Sequence, residues 1–140
     1  RRRDRRGRRA GRGGGGGLVK ALSRDLNDFL TVGLDEAALD RLEWRDFGKG
    51  VRLGKLAREG KAGLLLYRIA ADAPRDAFAP HRHVGGEAYL VLKGVIADGT
   101  GRYPKGSFVW LPPGSRHAPW AEGETVVLVL WPEGVEVDGD

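Results

Sequence analysis

Residues 81–120 read HRHVGGEAYLVLKGVIADGTGRYPKGSFVWLPPGSRHAPW and hold all three histidines of the chain. Side chains alternate between the faces of an extended strand, so His81 and His83 project to one side. Gly85 and Gly86 let the chain turn sharply. Glu87 then returns on the next strand, where it shares a face with Tyr89 and Val91. If that face lines an interior, two imidazoles and a carboxylate converge there. His117, after the Pro112-Pro113-Gly114 turn, completes a set of three histidines and one glutamate. Such a set suits borderline divalent ions: zinc first, with iron, manganese, nickel, cobalt and copper as others. It is too nitrogen-rich for calcium or magnesium. A lone His-x-His pair is more often packing, but here no histidine lies elsewhere and an acidic residue follows at a fixed offset.

Outward from this stretch the texture is that of many short strands. Candidate strands cover 43–47, 51–57, 63–70, 79–82, 87–92, 95–98, 107–111, 117–120 and 125–131. Gly48-Lys49-Gly50, Glu59-Gly60, Asp98-Gly99, Pro104-Lys105-Gly106 and Glu122-Gly123 mark turns between them. This pattern predicts an all-β sandwich or small barrel. Two short helices precede it. Leu18, Leu22, Leu26, Phe29 and Leu30 form a helical face over 18–30, and 35–42 reads as a helix whose Ala38, Leu39 and Leu42 pack inward. The Gly13–Gly17 run lacks the strand, Lys and Ser/Thr of a phosphate-binding loop.

The 140 residues make one domain's worth of chain. The absence of cysteine excludes disulfides, thiolate metal sites and a cysteine nucleophile. No apolar run is long enough to span a membrane. The net charge of +5 invites a nucleic-acid reading, but it is unevenly placed. Residues 1–17 hold eight Arg against one Asp, a charge of +7, while 18–140 hold 16 Lys and Arg against 18 Asp and Glu, a charge of −2. The first segment is an Arg/Gly tail with nothing to bury, expected to be disordered and to be the only part with any affinity for nucleic acid. No apolar stretch follows it as an export signal requires. With no Met in the chain, its first residue reads as a processing product or the start of a piece.

The two histidine segments resemble the two cupin motifs. The first, G-x5-H-x-H-x3–4-E-x6-G, is matched by His81, His83, Glu87 and Gly94, with Arg75 in place of the leading Gly. The second, G-x5-P-x-G-x2-H-x3-N, is matched by Gly106, Pro112, Gly114 and His117, with Ala121 in place of the Asn. The GGE turn, the YP-x-GS segment and the PPGS-x-HAP turn are most similar to the cupin domain of ChrR-type anti-sigma factors, over about 44–131. Ala88 and Lys93 stand where that subfamily commonly has acidic residues. The resemblance implies a double-stranded β-helix, a small jelly-roll barrel. It also implies one divalent metal held by His81, His83, Glu87 and His117. The chain carries no Cys and no His before 81, so the subfamily's N-terminal zinc domain, which grips the sigma factor, is not expected here.

These readings divide the chain into an Arg/Gly tail (1–17), a helical extension (18–42) and the barrel (43–140). The expected function is a metal-binding cupin module that is either a small-molecule-responsive regulatory domain or a stand-alone protein of unassigned activity. The alternative is a metal-dependent dioxygenase of the diketone- or flavonol-cleaving type, or an isomerase. Tyr89, Trp110 and Trp120 are candidate pocket residues. Arg68, in the apolar run LLLYRIA, is expected to face solvent, as is Arg82; Arg116 is a candidate guard of an opening. The expected partners are a small-molecule ligand or substrate and a second copy of the chain, since such barrels leave a sheet edge. No membrane partner is expected, and the expected location is the cytoplasm.

Overall fold

Val, Ile, Leu and Tyr crowd the runs 51–69 and 87–131, and these become the long strands. A computed structural model describes residues 24–27 and 30–138. Its elements are β1 (Arg24–Asp25), α1 (Glu36–Asp40), β2 (Arg45–Gly48), β3 (Val51–Glu59), β4 (Ala62–Ile69), β5 (His81–His83), β6 (Glu87–Asp98), β7 (Gly101–Pro104), β8 (Phe108–Leu111), β9 (Arg116–His117), β10 (Trp120–Trp131) and β11 (Val135–Val137). An eight-stranded sheet runs β1-β3-β4-β10-β6-β7, with β2 added on β3 and β8 on β6; a three-stranded sheet runs β11-β5-β9. Every pairing is antiparallel except β1 with β3. Residues of both sheets line one interior cavity, so together they form a small jelly-roll barrel.

The large sheet buries both of its faces. The inner face carries Val51, Leu65, Tyr67, Ile69, Tyr89, Val91, Val127 and Val129, in a single apolar cluster. The outer face carries Leu56, Leu66 and Val126, covered by Leu39 of α1 and by Leu42. Each such side chain, fully buried, stabilises the fold by about 1.5–3 kcal/mol. The Asp35 side chain caps α1 by accepting from Ala38 N at 2.9 Å. The Trp44 indole donates to Leu39 O at 2.8 Å and fastens the helix to the barrel. Arg68 is on this outer face, stacked on Trp44 and paired with Asp40 and Glu124. It is directed away from the interior, though partly covered rather than free in solvent.

Several sequence expectations need correction. The helix expected over 18–30 lies mostly outside the described residues. Within them, Arg24 and Asp25 form a strand on Ala57 and Arg58, and Leu26 N donates to Arg58 O. A free edge of β3 offers these backbone groups partners that a short isolated helix would have to outcompete, and such helices are marginal. The strands expected at 87–92 and 95–98 are one strand, β6. Gly94 does not end it: with φ +74 and room for no Cβ, which would meet Glu124 O at 2.3 Å, it lets β6 pass close over β10. There the β6–β10 register shifts. The strand expected at 117–120 is divided, with His117 ending β9 and Trp120 opening β10. Strands β7 and β11 were not foreseen, being short segments of mixed polarity.

Candidate metal centre

The site is built where the two sheets meet. His81 and His83 lie on β5, between β9 and β11; His81 pairs in register with His117 of β9. Two backbone bonds clamp the β5 end to the Pro-Pro-Gly turn, His83 N to Ser115 O at 2.9 Å and Gly114 N to His83 O at 2.7 Å. Glu87 opens β6 after a turn in which Gly86 has φ +88. A Cβ on Gly86 would meet Trp110 Cη2 at 2.6 Å and Leu111 O at 2.8 Å, so only glycine brings the two strands this close.

The four side chains anticipated from the sequence come together. One ligand atom from each of His81, His83, Glu87 and His117 lies within 4.8 Å of the others. Donor atoms about 2.1 Å from a common ion lie roughly 3–4 Å apart, so the cluster is already near the size an ion requires. The outward nitrogens are engaged. His81 Nδ1 is 2.9 Å from Ala79 O, His117 Nδ1 is 3.0 Å from Asp98 Oδ2, and His83 Nδ1 is 3.1 Å from Ser115 Oγ. A carbonyl and a carboxylate only accept, so His81 and His117 donate from Nδ1, which in a neutral imidazole leaves the Nε2 lone pair facing inward. Those two Nε2 atoms stand 3.0 Å apart. His83 Nε2 is buried with no hydrogen-bond partner, 3.2 Å from Glu87 Oε2. Facing lone pairs and an orphaned buried nitrogen cost free energy, about 1–3 kcal/mol for one such group. A cation at their centre removes that cost, so these residues fit a divalent metal.

For His81 and Glu87 the surroundings favour the forms that can hold a metal. Burial pushes His81 below the usual histidine range, outweighing the hydrogen bond to Ala79, and the neighbouring His117 and His83 add to the fall. Burial would raise Glu87, but the His83 imidazole and the Trp131 indole hold it below the usual carboxylate range. That indole donates to Glu87 Oε2 at 2.6 Å. Asp98 is likewise pulled up by burial but held down by hydrogen bonds from Thr100 and His117. Sequence reading did not single out Asp98, Ser115 or Trp131. Their partners lie far off in sequence, 19, 32 and 44 residues away, and no local spacing signals them.

The cluster opens on a cavity of about 630 Å³, lined by apolar side chains such as Leu53, Tyr67, Phe78, Ile96 and Val127. Of the pocket residues expected from sequence, Tyr89 lines it, with its hydroxyl buried and unpartnered. Trp110 and Trp120 are not among the described residues that line it. Trp110 is half exposed and covers the Gly86 turn from outside; Trp120 is stacked under Arg75 at 3.7 Å. Both flank His117 in sequence, but strand alternation turns them to the other face. Arg82 pairs with Glu136 and Arg116 with Asp138, tying β5 and β9 to the C-terminal segment.

The family model of the ChrR cupin-like domain matches residues 35–134. No curated protein matches the chain. Among solved structures, the complex of Rhodobacter sphaeroides SigE with the anti-sigma ChrR is similar at 30% identity and a TM-score of 0.58, over 66% of this chain and 50% of that one. This chain thus spans half the length of that neighbour. An RmlC-like cupin from Ralstonia eutropha shares the fold at 18% identity and TM-score 0.60, over 79% of this chain and 74% of that one. So does an acetylacetone dioxygenase from Acinetobacter johnsonii, at 14% identity and TM-score 0.59, over 77% and 76%. With its motifs, its barrel and 35–134 matched, the chain belongs to the ChrR cupin-like family of the cupin superfamily.

Proposed function

We propose that this chain is a metal-holding cupin module that responds to a small molecule bound beside the metal. The observation that carries the reading is the inward convergence of His81 and His117 Nε2 on the buried, unpartnered His83 Nε2 and on Glu87. Zinc is the first choice of ion, with iron, manganese and nickel also suited to three imidazoles and a carboxylate. A bound ion would supply an electrophilic centre at the inner end of the cavity. The chain's own residues do the rest. Asp98, Ala79 and Ser115 fix the rings, Trp131 fixes Glu87, and the apolar walls exclude water from whatever the cavity holds.

A second reading, a metal-dependent dioxygenase of the diketone- or flavonol-cleaving type or an isomerase, is favoured by that apolar cavity, which is large enough for a substrate at about 630 Å³. One experiment separates the two: metal analysis of the native protein, then oxygen uptake with a panel of β-diketones and flavonols. Tightly held zinc and no uptake support the regulatory module. Iron with substrate-dependent uptake supports the enzyme. His83→Ala and Glu87→Ala should each lose most of the metal; full stoichiometric metal in both refutes the site.

The module is further proposed to pair with a second copy. Among the described residues β8 bonds to β6 alone, and its Phe108 and Trp110 are 70% and 51% exposed. Such an edge calls for cover. Light scattering that returned a monomer at working concentration would reject this.

A further inference from the structure

We infer that the cavity takes an organic anion with an apolar body, its charged head paired with Lys55 and Arg58 in the second half of β3. The inference rests on the cavity-bearing cupin module proposed above and names the chemical class of its ligand.

The inner face of β3 begins with Val51 and Leu53, both apolar, and the next inward position is Lys55. Lys55 is half-buried and lines the cavity, opposite Leu65 on β4, which in turn is opposite Val129 and Tyr89 across the sheet. The lysine thus shares a cross-strand row with the wall next to the ligating cluster. Three strand spacings separate Lys55 from Tyr89, about 14 Å along the curved sheet.

Strict alternation would place Ala57 inward next. Instead the β3–β4 register shifts between Lys55 and Ala57, so that Ala57 lies opposite outward-facing Leu64 and Arg58 opposite Gly63. This bulge returns Arg58 to the cavity side, where it lines the same space. Lys61, in the β3–β4 turn, lines the cavity beyond Arg58, while Lys49 lines it at the other end of β3 and is paired with Asp76. Among the described residues no carboxylate lies within ion-pairing distance of Lys55, Arg58 or Lys61. The concentration is not a property of the whole body, since residues 18–140 sum to −2. Lys55 is partly desolvated among apolar side chains while Arg58 stays exposed beside it, and an anionic head with an apolar tail satisfies both surfaces at once.

The test uses the metal-loaded full chain and titrates 2-naphthoate by isothermal calorimetry, with 2-acetonaphthone as its uncharged counterpart of similar shape. Expected are one site per chain, tighter binding of the carboxylate than of the ketone, and a loss of about tenfold in naphthoate affinity in Lys55→Gln. Ketone binding should stay unchanged, and Lys55→Arg should keep the carboxylate preference. If Lys55→Gln does not fold, Arg58→Gln provides the same comparison. Equal losses for both probes mean a packing role for Lys55 and overturn the inference, as do an unchanged naphthoate affinity or no binding of either probe. Metal content measured on the same samples reports separately on the metal module, so either idea can fail without the other.

Discussion

Asp98 closes β6 and accepts a hydrogen bond from His117 Nδ1 at 3.0 Å, although the two belong to different sheets. Its carboxylate has no exposed surface and also accepts from Thr100 N at 2.7 Å. This buried anion fixes the ring orientation and proton position that leave His117 Nε2 free. Asp98→Asn keeps the shape but removes the charge. Metal affinity in Asp98→Asn should fall about 10–100-fold. Competition with a chromogenic chelator measures it, and an unchanged affinity would mean that the bond only packs the two sheets together.

Removal of the metal should destabilise the barrel rather than leave it indifferent. The His81 and His117 Nε2 atoms, 3.0 Å apart, and His83 Nε2, 3.2 Å from Glu87 Oε2, would all be satisfied by one cation between them. A ligand that binds only the folded state adds about 2.7 kcal/mol at a hundredfold excess over its Kd. Treatment with a chelator should therefore lower the Tm by several degrees, and one equivalent of zinc should restore it. Identical melting curves would argue that no ion sits there.

Alkaline pH tests the inner core. Burial pushes the Tyr67 phenol well above its usual range, and the charge of Glu87 adds to the shift. Since the folded-state pKa lies above the unfolded one, the associated stability is fully present below about pH 10 and is lost as pH rises beyond it. Tyr67→Phe cannot ionise in either state, so its stability should fall less steeply above that pH. Parallel urea midpoints for the two proteins across this range would be the contrary result.

Gly94 tests the long strand. Its φ of +74 and the 2.3 Å approach of a built Cβ to Glu124 O leave no room for a side chain. Left-handed backbone alone costs an L-residue about 1–2 kcal/mol. Gly94→Ala should lose more than that in denaturant unfolding, because a backbone oxygen must also move. A loss under about 0.5 kcal/mol would mean that β6 and β10 can separate locally without penalty.

The sequence by itself determined the all-β class, the candidate set His81, His83, Glu87 and His117, and the turns that deliver it. These rest on short-range physics: a period of two along a strand, glycine at Gly86 where no Cβ fits, and histidines confined to two short segments with a glutamate four residues after His83. Tertiary structure decided what long-range pairing controls. Arg24 and Asp25 became a strand because β3 had a free edge, and 87–98 stayed whole because Gly94 lets β6 cross β10. Trp110 and Trp120 were turned away from the cavity by the faces their strands present, and Arg58 was turned toward it by a bulge visible only in the register of β3 with β4. Asp98, Ser115 and Trp131 joined the site for the same reason. A hydrogen bond between residues tens of positions apart leaves no local periodicity, and it forms only once the sheets have closed on each other.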